Sequence, residues 1–281
     1  MSVVLLALGA SLGWGTSDFL GGVKSRALPV LSVLFISQTV ALALLAVTVA
    51  GRGEGPGAAG DLAYAAAAGL GETVGIAALY RGLAVGTMGI VAPVAATAPV
   101  VPLVADLASG ELPGPVQLAG LALVLAGVAV TSHRPAGAAE EAGARVLPSV
   151  AYGLLASLGF GTFFLAMGRA SEGDIGWALL TARSTAVAAL AAAALARRRR
   201  LGVGRADLAP VALIGCLIVA ADTLYATATT HGLVSVAAVL GSLHAVVTLV
   251  LARVFLHERL ERTQQVGVGA CLLGVMAVAA G

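Results

Sequence analysis

Charge is what this sequence lacks. Of its 281 residues only 11% are Asp, Glu, Lys or Arg, and 59% are hydrophobic, against about 25% charged in a soluble domain. With a mean hydropathy of +1.00, the chain has too few ionic groups to dress a water-facing surface. The net charge of +2 is too small to imply a nucleic-acid partner. Cysteine is scarce as well: Cys216 and Cys271 both lie in apolar stretches. No Cys/His pair has the spacing of a metal site, so neither a disulfide nor a bound metal is expected. The histidines at 133, 231, 244 and 257 are scattered, with no His-x-x-x-His or Glu-x-x-His pair, and no Gly-x-x-x-x-Gly-Lys-Ser/Thr loop is present. An intramembrane enzyme would need such groups, and direct ATP drive would need a second subunit. No cofactor is expected.

Long apolar runs are what the chain has. A run of about 20 residues at 1.5 Å rise crosses a hydrocarbon core of roughly 30 Å. Ten such runs occur, at about 3–22, 29–50, 62–83, 88–107, 116–132, 147–168, 175–196, 208–229, 233–256 and 263–280. Their length and the lack of polar/apolar alternation predict helices and not a barrel. The first run lacks the basic region of a signal peptide and carries Asp18, so it counts as a span. The fold class expected is an all-α polytopic membrane protein of ten spans.

The chain is written twice. Ala10-Ser11-Leu12-Gly13-Trp14-Gly15-Thr16 returns as Ala156-Ser157-Leu158-Gly159-Phe160-Gly161-Thr162, 146 residues on, and Asp61-Leu62-Ala63 returns as Asp207-Leu208-Ala209 at the same offset. Glu111, Gln117 and Gly120 return as Glu258, Gln264 and Gly267, 147 on. A fixed period marks a duplicated architecture. The copies are expected at 1–133 and 147–281, joined by a Pro/Gly/Ala-rich linker at 134–146 that includes Glu140 and Glu141. Five spans per copy is an odd number, so the second copy enters the membrane from the opposite side. Inverted repeats place a binding site between the halves near the midplane.

Lys and Arg are retained on the cytoplasmic side. Loops after odd spans hold Lys24, Arg26, Arg81, Arg134, Arg145, Arg197 to Arg200, Arg205, Arg253, Arg259 and Arg262; those after even spans hold Arg52 and Arg169. This bias puts both termini outside the cytoplasm.

The Gly-Trp-Gly-Thr turn of the first span, and the short Glu-containing loop before each copy's last span with Gln and Gly following, resemble the EamA-type transporters of the drug/metabolite transporter superfamily. The resemblance covers essentially the whole chain. It implies two five-helix repeats in a bacterial inner membrane, a small-molecule cargo such as an amino acid, another metabolite or a toxic compound, and in some members proton coupling. It also implies cytoplasmic termini, against the charge bias. Thr16-Ser17-Asp18 departs from the family's pattern, in which a small polar residue and an Asn or aromatic follow Trp-Gly.

A charge at mid-helix costs about 2.5 to 3.5 kcal/mol on insertion scales, so Asp18, Glu72, Arg183 and Asp222 each call for a partner or a role. Ser11, Trp14, Gly15 and Asp18 share one helical face, matched in the second copy by Ser157, Phe160, Gly161 and Phe164. That face is either a cavity wall, with the aromatic on cargo and the acid on a proton or cation, or a helix end whose acid pairs with Lys24 or Arg26. Glu72 lies opposite Ile218, and Asp222, one turn further on, lies opposite Ile76. The two acids serve a proton, a cation or cargo, or else pair with Arg183. Arg183 alternatively takes a carboxylate cargo through its fork of donors. His244 is either a relay or a histidine bonded to a neighbouring helix. Tyr80 and Tyr225 line a cavity or anchor at the interface. Pro93, Pro99 and Pro102 interrupt the fourth span, whereas the ninth has only Gly241. Gly69, Gly71 and Gly75 let helices approach, and Glu111 and Glu258 position each copy's last helix. The function expected is secondary transport by alternating access, with Trp14, Asp18, Glu72, Phe160, Arg183 and Asp222 as cavity residues. A channel or lipid scramblase is the rival outside enzymes.

Overall fold

The computed structural model describes residues 3–25, 27–53, 55–85, 91, 94–95, 97–110, 113–132, 142–198, 201–255 and 262–280. Glu111, Glu258, Pro93 and the linker up to residue 141 lie outside these, as do the side chains of Tyr80 and Gln264. Eleven helices are described: α1 (Val3–Ser25), α2 (Val30–Arg52), α3 (Ala59–Val85), α4 (Val100–Ala108), α5 (Pro115–Ser132), α6 (Ala142–Ala170), α7 (Ile175–Ala196), α8 (Arg205–Thr229), α9 (Val234–Gly241), α10 (His244–Phe255) and α11 (Arg262–Ala280). Lipid offers no hydrogen bonds, so the backbone must satisfy itself within each segment. Six of these helices are long and apolar enough to cross a membrane, and shorter apolar stretches run over Pro115–Val130, Val234–Thr248 and Gln265–Val278.

The outer faces carry the apolar residues that a soluble fold would bury. Leu12 and Leu158, 146 apart in sequence, are each 58% exposed. That matched exposure is what two equivalent helices in contact with lipid tails require. The core between the helices is built from small residues: Ala7, Ala10, Ala65, Ala68, Ala182 and Ala226 are all buried. Without a hydrophobic driving force between helices in lipid, such residues let backbones close to van der Waals distance.

The inversion is visible in the last helix of each copy. A Cβ on Gly120 would stand 2.8 Å from Gly274 O, and one on Gly127 would stand 2.7 Å from Gly267 O. As residue number rises along α5 it falls along α11, so the two equivalent helices cross antiparallel. Cys271 fits the same seam, its thiol 3.7 Å from Val124 O. The other contacts obey the same exchange. α1 packs on α8 and its counterpart α6 packs on α3; α3 packs on α7 and its counterpart α8 packs on α2.

Both repeats are interrupted in the same place. Turn residues 97–99 precede α4, with Val100 and Val101 bonding to Thr97 O and Ala98 O in three-residue steps. The ninth span, expected to carry only half of the paired signature, Gly241 without a proline, divides after Gly241. There the Leu243 amide takes Leu240 O and the Ala245 amide takes Ser242 O. Gly241 lies at this division without a proline, and Trp14 Cζ3 lies 3.0 Å from where its Cβ would be. The aromatic of the first span packs into the break.

The α5–α11 seam yields a paired test. Gly274→Ala places a Cβ 2.7 Å from Val124 Cγ2 and is expected to lower stability by about 1–3 kcal/mol through overpacking. Gly269, with open space around it, is expected to tolerate Ala with no fall in melting temperature, since Ala favours the helix.

Candidate functional site

Five helices meet at one cluster built around a guanidinium. Arg183 of α7 is wholly buried. Its Nη1 donates to Gln38 Oε1 of α2 at 2.6 Å and to Glu72 Oε1 of α3 at 3.0 Å. Its Nη2 donates to Glu72 Oε2 and lies 3.0 Å from Asp222 Oδ2 of α8. The other Asp222 oxygen accepts from the Trp14 indole of α1 at 2.9 Å. Both buried acids therefore share one base, which leaves one unit of negative charge in excess when both are ionised. Among the described residues Arg183 Nε has no hydrogen-bond partner, and Asp222 Oδ2 has proximity to Nη2 without an aligned bond. A buried ionic group left half-satisfied is costly.

Of the three charged members, only one looks outward. The Glu72 side chain is 15% exposed, while those of Arg183 and Asp222 are 0% exposed. Glu72 and Gln38 close the deep end of a cavity of about 560 Å³. Its walls are Val30, Leu31 and Leu34 of α2, Ile76 and Ala77 of α3, Tyr152 of α6, and Ala189, Leu190 and Ala193 of α7. Arg81 and Arg197 stand at the helix ends. From Gln38 to Val30 the depth is about 12 Å at 1.5 Å per residue.

At the opposite ends α2 and α7 are drawn together. Arg52 Nη2 meets Asp174 Oδ2 at 2.6 Å and Nη1 meets Oδ1 at 3.3 Å. Val49 Cγ2 is 3.2 Å from where a Gly176 Cβ would stand. Asp174 also caps α7 by accepting from the Trp177 amide at 2.8 Å. Its partial burial acts to raise the carboxyl pKa, but the Trp177 amide and the Arg52 guanidinium outweigh that and bring it below the ordinary 3.8. α2 and α7 thus form a V: closed at Arg52–Asp174 and open along the cavity.

Of the six residues expected in the cavity, the structure brings Trp14, Glu72, Arg183 and Asp222 into one cluster, with Glu72 alone facing the cavity. Asp18 stands apart: its Oδ2 is 2.8 Å from His244 Nδ1 of α10. Lys24, its expected partner, pairs instead with Asp207 at 2.9 Å, and Arg26 lies outside the described residues. His244 is the histidine bonded across to a neighbouring helix. Phe160 packs on Gly75, where a Cβ would stand 2.9 Å from its ring, and against Ala78 and Ala95. That is the counterpart of Trp14 on α8 and Gly241, but it holds no acid. Tyr225 is no interface anchor. It is wholly buried, stacks among Trp14, Phe163 and Phe164, and donates to Phe164 O at 2.9 Å.

Two polar residues escaped the sequence reading. Gln38 is an uncharged amide in an apolar span, and a search for formal charge passes over it. Asp106 of α4 is 5% exposed and accepts from the Ser235 amide at 2.9 Å, so the first repeat caps the short helix α9 of the second. Its position near the end of the fourth run disguised its burial. Among the described residues no three His, Cys, Asp or Glu stand together as a metal site would require.

The sequence matches the model of the EamA-like transporter family over residues 1–133 and again over 147–280. The chain belongs to that family. One solved crystal structure aligns with 99% of this chain and 96% of its own at a TM-score of 0.79 and 18% identity, a likeness of fold alone. No curated protein matches the sequence.

The shared guanidinium orders the cost of substitutions. Arg183→Leu leaves two carboxylates uncompensated and is expected to cost roughly 3–5 kcal/mol. Glu72→Gln keeps a one-to-one pair with Asp222 and is expected to cost clearly less, so thermal melts in one detergent should rank wild type, Glu72→Gln, then Arg183→Leu. Because the Asp174 pKa is lowered, the stability its pair contributes is complete above the ordinary carboxylate range and is lost only as pH falls through the folded value. Asp174→Asn should therefore leave the shape of a neutral-range pH profile unchanged.

Proposed function

We propose that this member of the EamA-like family is a secondary transporter that moves a small metabolite, an amino acid among the candidates, or a drug-like molecule by alternating access, exporting it across a bacterial inner membrane in exchange for protons. The two five-helix repeats over 1–133 and 147–281, joined by 134–146, form the moving halves. The observation that carries this reading is the blind cavity between α2, α3, α6 and α7, which ends on a charged cluster while the far ends of α2 and α7 are latched together. A channel would be open through its length. An enzyme would place a nucleophile and a base, or metal ligands, at the cavity's end.

Coupling follows from the uneven charge count. Glu72 and Asp222 face Arg183, with Asp18 and His244 on the other side of Trp14. Cargo and a proton then compete for the excess negative charge, and the state that holds one excludes the other. The cavity opens at the end where Lys24, Arg81 and Arg197 lie. On the charge bias this is the cytoplasmic side, from which an exporter loads.

Alternation requires the latch to break. Arg52–Asp174 is partly exposed, with side chains 43% and 25% accessible, and exposed pairs contribute up to about 1 kcal/mol. Its loss should change the balance of states by at most about fivefold.

Two outcomes are expected in reconstituted liposomes. Glu72→Gln or Asp222→Asn abolishes the pH dependence of flux; unchanged flux and pH profile in both would remove the coupling. In a Cys216→Ser background, a cysteine at Ala193 reacts with a water-soluble thiol reagent, and Asp174→Asn slows that reaction by up to about fivefold as the open cavity is depopulated. Equal rates in both would show that the latch does not hold this state.

A further inference from the structure

We infer that the cargo is an organic cation bearing a single positive charge on an apolar body, an amine whose ammonium group rests against Glu72. The inference refines the transport reading above and rests on it. The deep end of the cavity offers the Glu72 carboxylate as its exposed charged group; the Gln38 carboxamide beside it, whose Oε1 is taken by Arg183, adds only neutral N–H donors. Both Nη groups of Arg183 are already engaged by Gln38, Glu72 and Asp222, and the guanidinium has no exposed surface. A carboxylate arriving from the cavity would meet the Glu72 carboxylate before it could reach the base behind it. The Thr73 hydroxyl, which lines the same end, spends its hydrogen on Gly69 O at 2.8 Å and retains acceptor lone pairs.

Charge and shape agree with that inventory. Two carboxylates against one guanidinium leave one negative charge in excess, and a singly charged cation brings the cluster to neutrality, whereas a zwitterion leaves the excess in place and adds a second carboxylate beside it. The Leu31, Leu34, Ile76, Ala77 and Leu190 walls suit an apolar body. Arg81 and Arg197 are exposed and do not reverse this preference. Arg81 lies nine residues from Glu72, about 13 Å along the helix. Water and salt screen exposed charges beyond about 8 Å, while the cluster sits where little water reaches.

A matched series with one phenyl body tests the assignment. The purified full-length chain is titrated calorimetrically at neutral pH with 2-phenylethylamine, phenylalanine, 3-phenylpropionate and 2-phenylethanol. The amine is expected to bind at least about tenfold more tightly than the others, because like charges brought together in a desolvated site are strongly disfavoured. Glu72→Gln, which leaves Arg183 and Asp222 paired one to one, should lose at least about tenfold in amine affinity while Glu72→Asp regains part of it. Binding of the amino acid, acid or alcohol as tight as that of the amine, an amine affinity unchanged in Glu72→Gln, or no amine binding would each overturn the assignment. Liposome flux separates this from the transport reading. Saturable movement of phenylalanine or phenylpropionate but not of the amine removes the cation and keeps the transporter. Non-saturable leakage of all four compounds removes the transporter as well.

Discussion

One guanidinium holding two carboxylates, deep in an apolar bundle, is the interaction on which the rest of this structure depends. Arg183 takes ligands from α2, α3 and α8, and Trp14 extends the cluster to α1. Each of these charges alone would cost about 2.5 to 3.5 kcal/mol at mid-membrane. Together they hold helices of both repeats at one depth, and the uneven count leaves a charge that cargo or a proton can balance. In the transport reading proposed above, the guanidinium is structural and the exposed edge of Glu72 is the working surface. The fold thereby separates the group that organises the site from the group that meets the cavity.

The repeats are symmetric in backbone and asymmetric in chemistry. Trp14 on α8 and Gly241 has its counterpart in Phe160 on α3 and Ala95, yet only the Trp14 side has an acid to receive an indole N–H. The latch is one-sided too. Arg52 and Asp174 correspond, at the 146-residue offset, to Arg198 and Leu28, which can form no ion pair. On the alternating-access reading proposed above, equivalent helices exchange roles as the halves rock, and the one-sided ion pair, worth up to about 1 kcal/mol, tethers one state better without locking the protein there.

Much of the architecture was legible in the sequence because periodic apolar runs and a fixed offset report directly on helices and duplication. The same glycines that disclosed the repeat, Gly120 and Gly267, prove to be the points where α5 and α11 touch. Glu72, Arg183 and Asp222 were legible because a charge in an apolar run stands out. Pairing was not. Nothing local to Asp18 announces His244, which lies 226 residues away, so proximity in sequence pointed wrongly to Lys24. Tyr225 looked like an interface anchor because it lies near a helix end, but a neighbouring carbonyl in the core satisfies its hydroxyl. The break after Gly241 was only half announced, because a glycine without a proline weakens a helix but does not fix where it divides; the close approach of Trp14 to Gly241 is a tertiary contact. Gln38 and Asp106 depend on tertiary burial, which no residue type declares.

Competition for a single excess charge has a direct signature in proton stoichiometry. When 2-phenylethylamine is added to purified protein in weakly buffered solution near the midpoint of its pH profile, a pH indicator should register protons released in proportion to amine bound. The release should approach one per chain as the starting pH is lowered and should be absent in Glu72→Gln. Saturating amine binding with no proton released at any pH where the protein is folded would contradict the account.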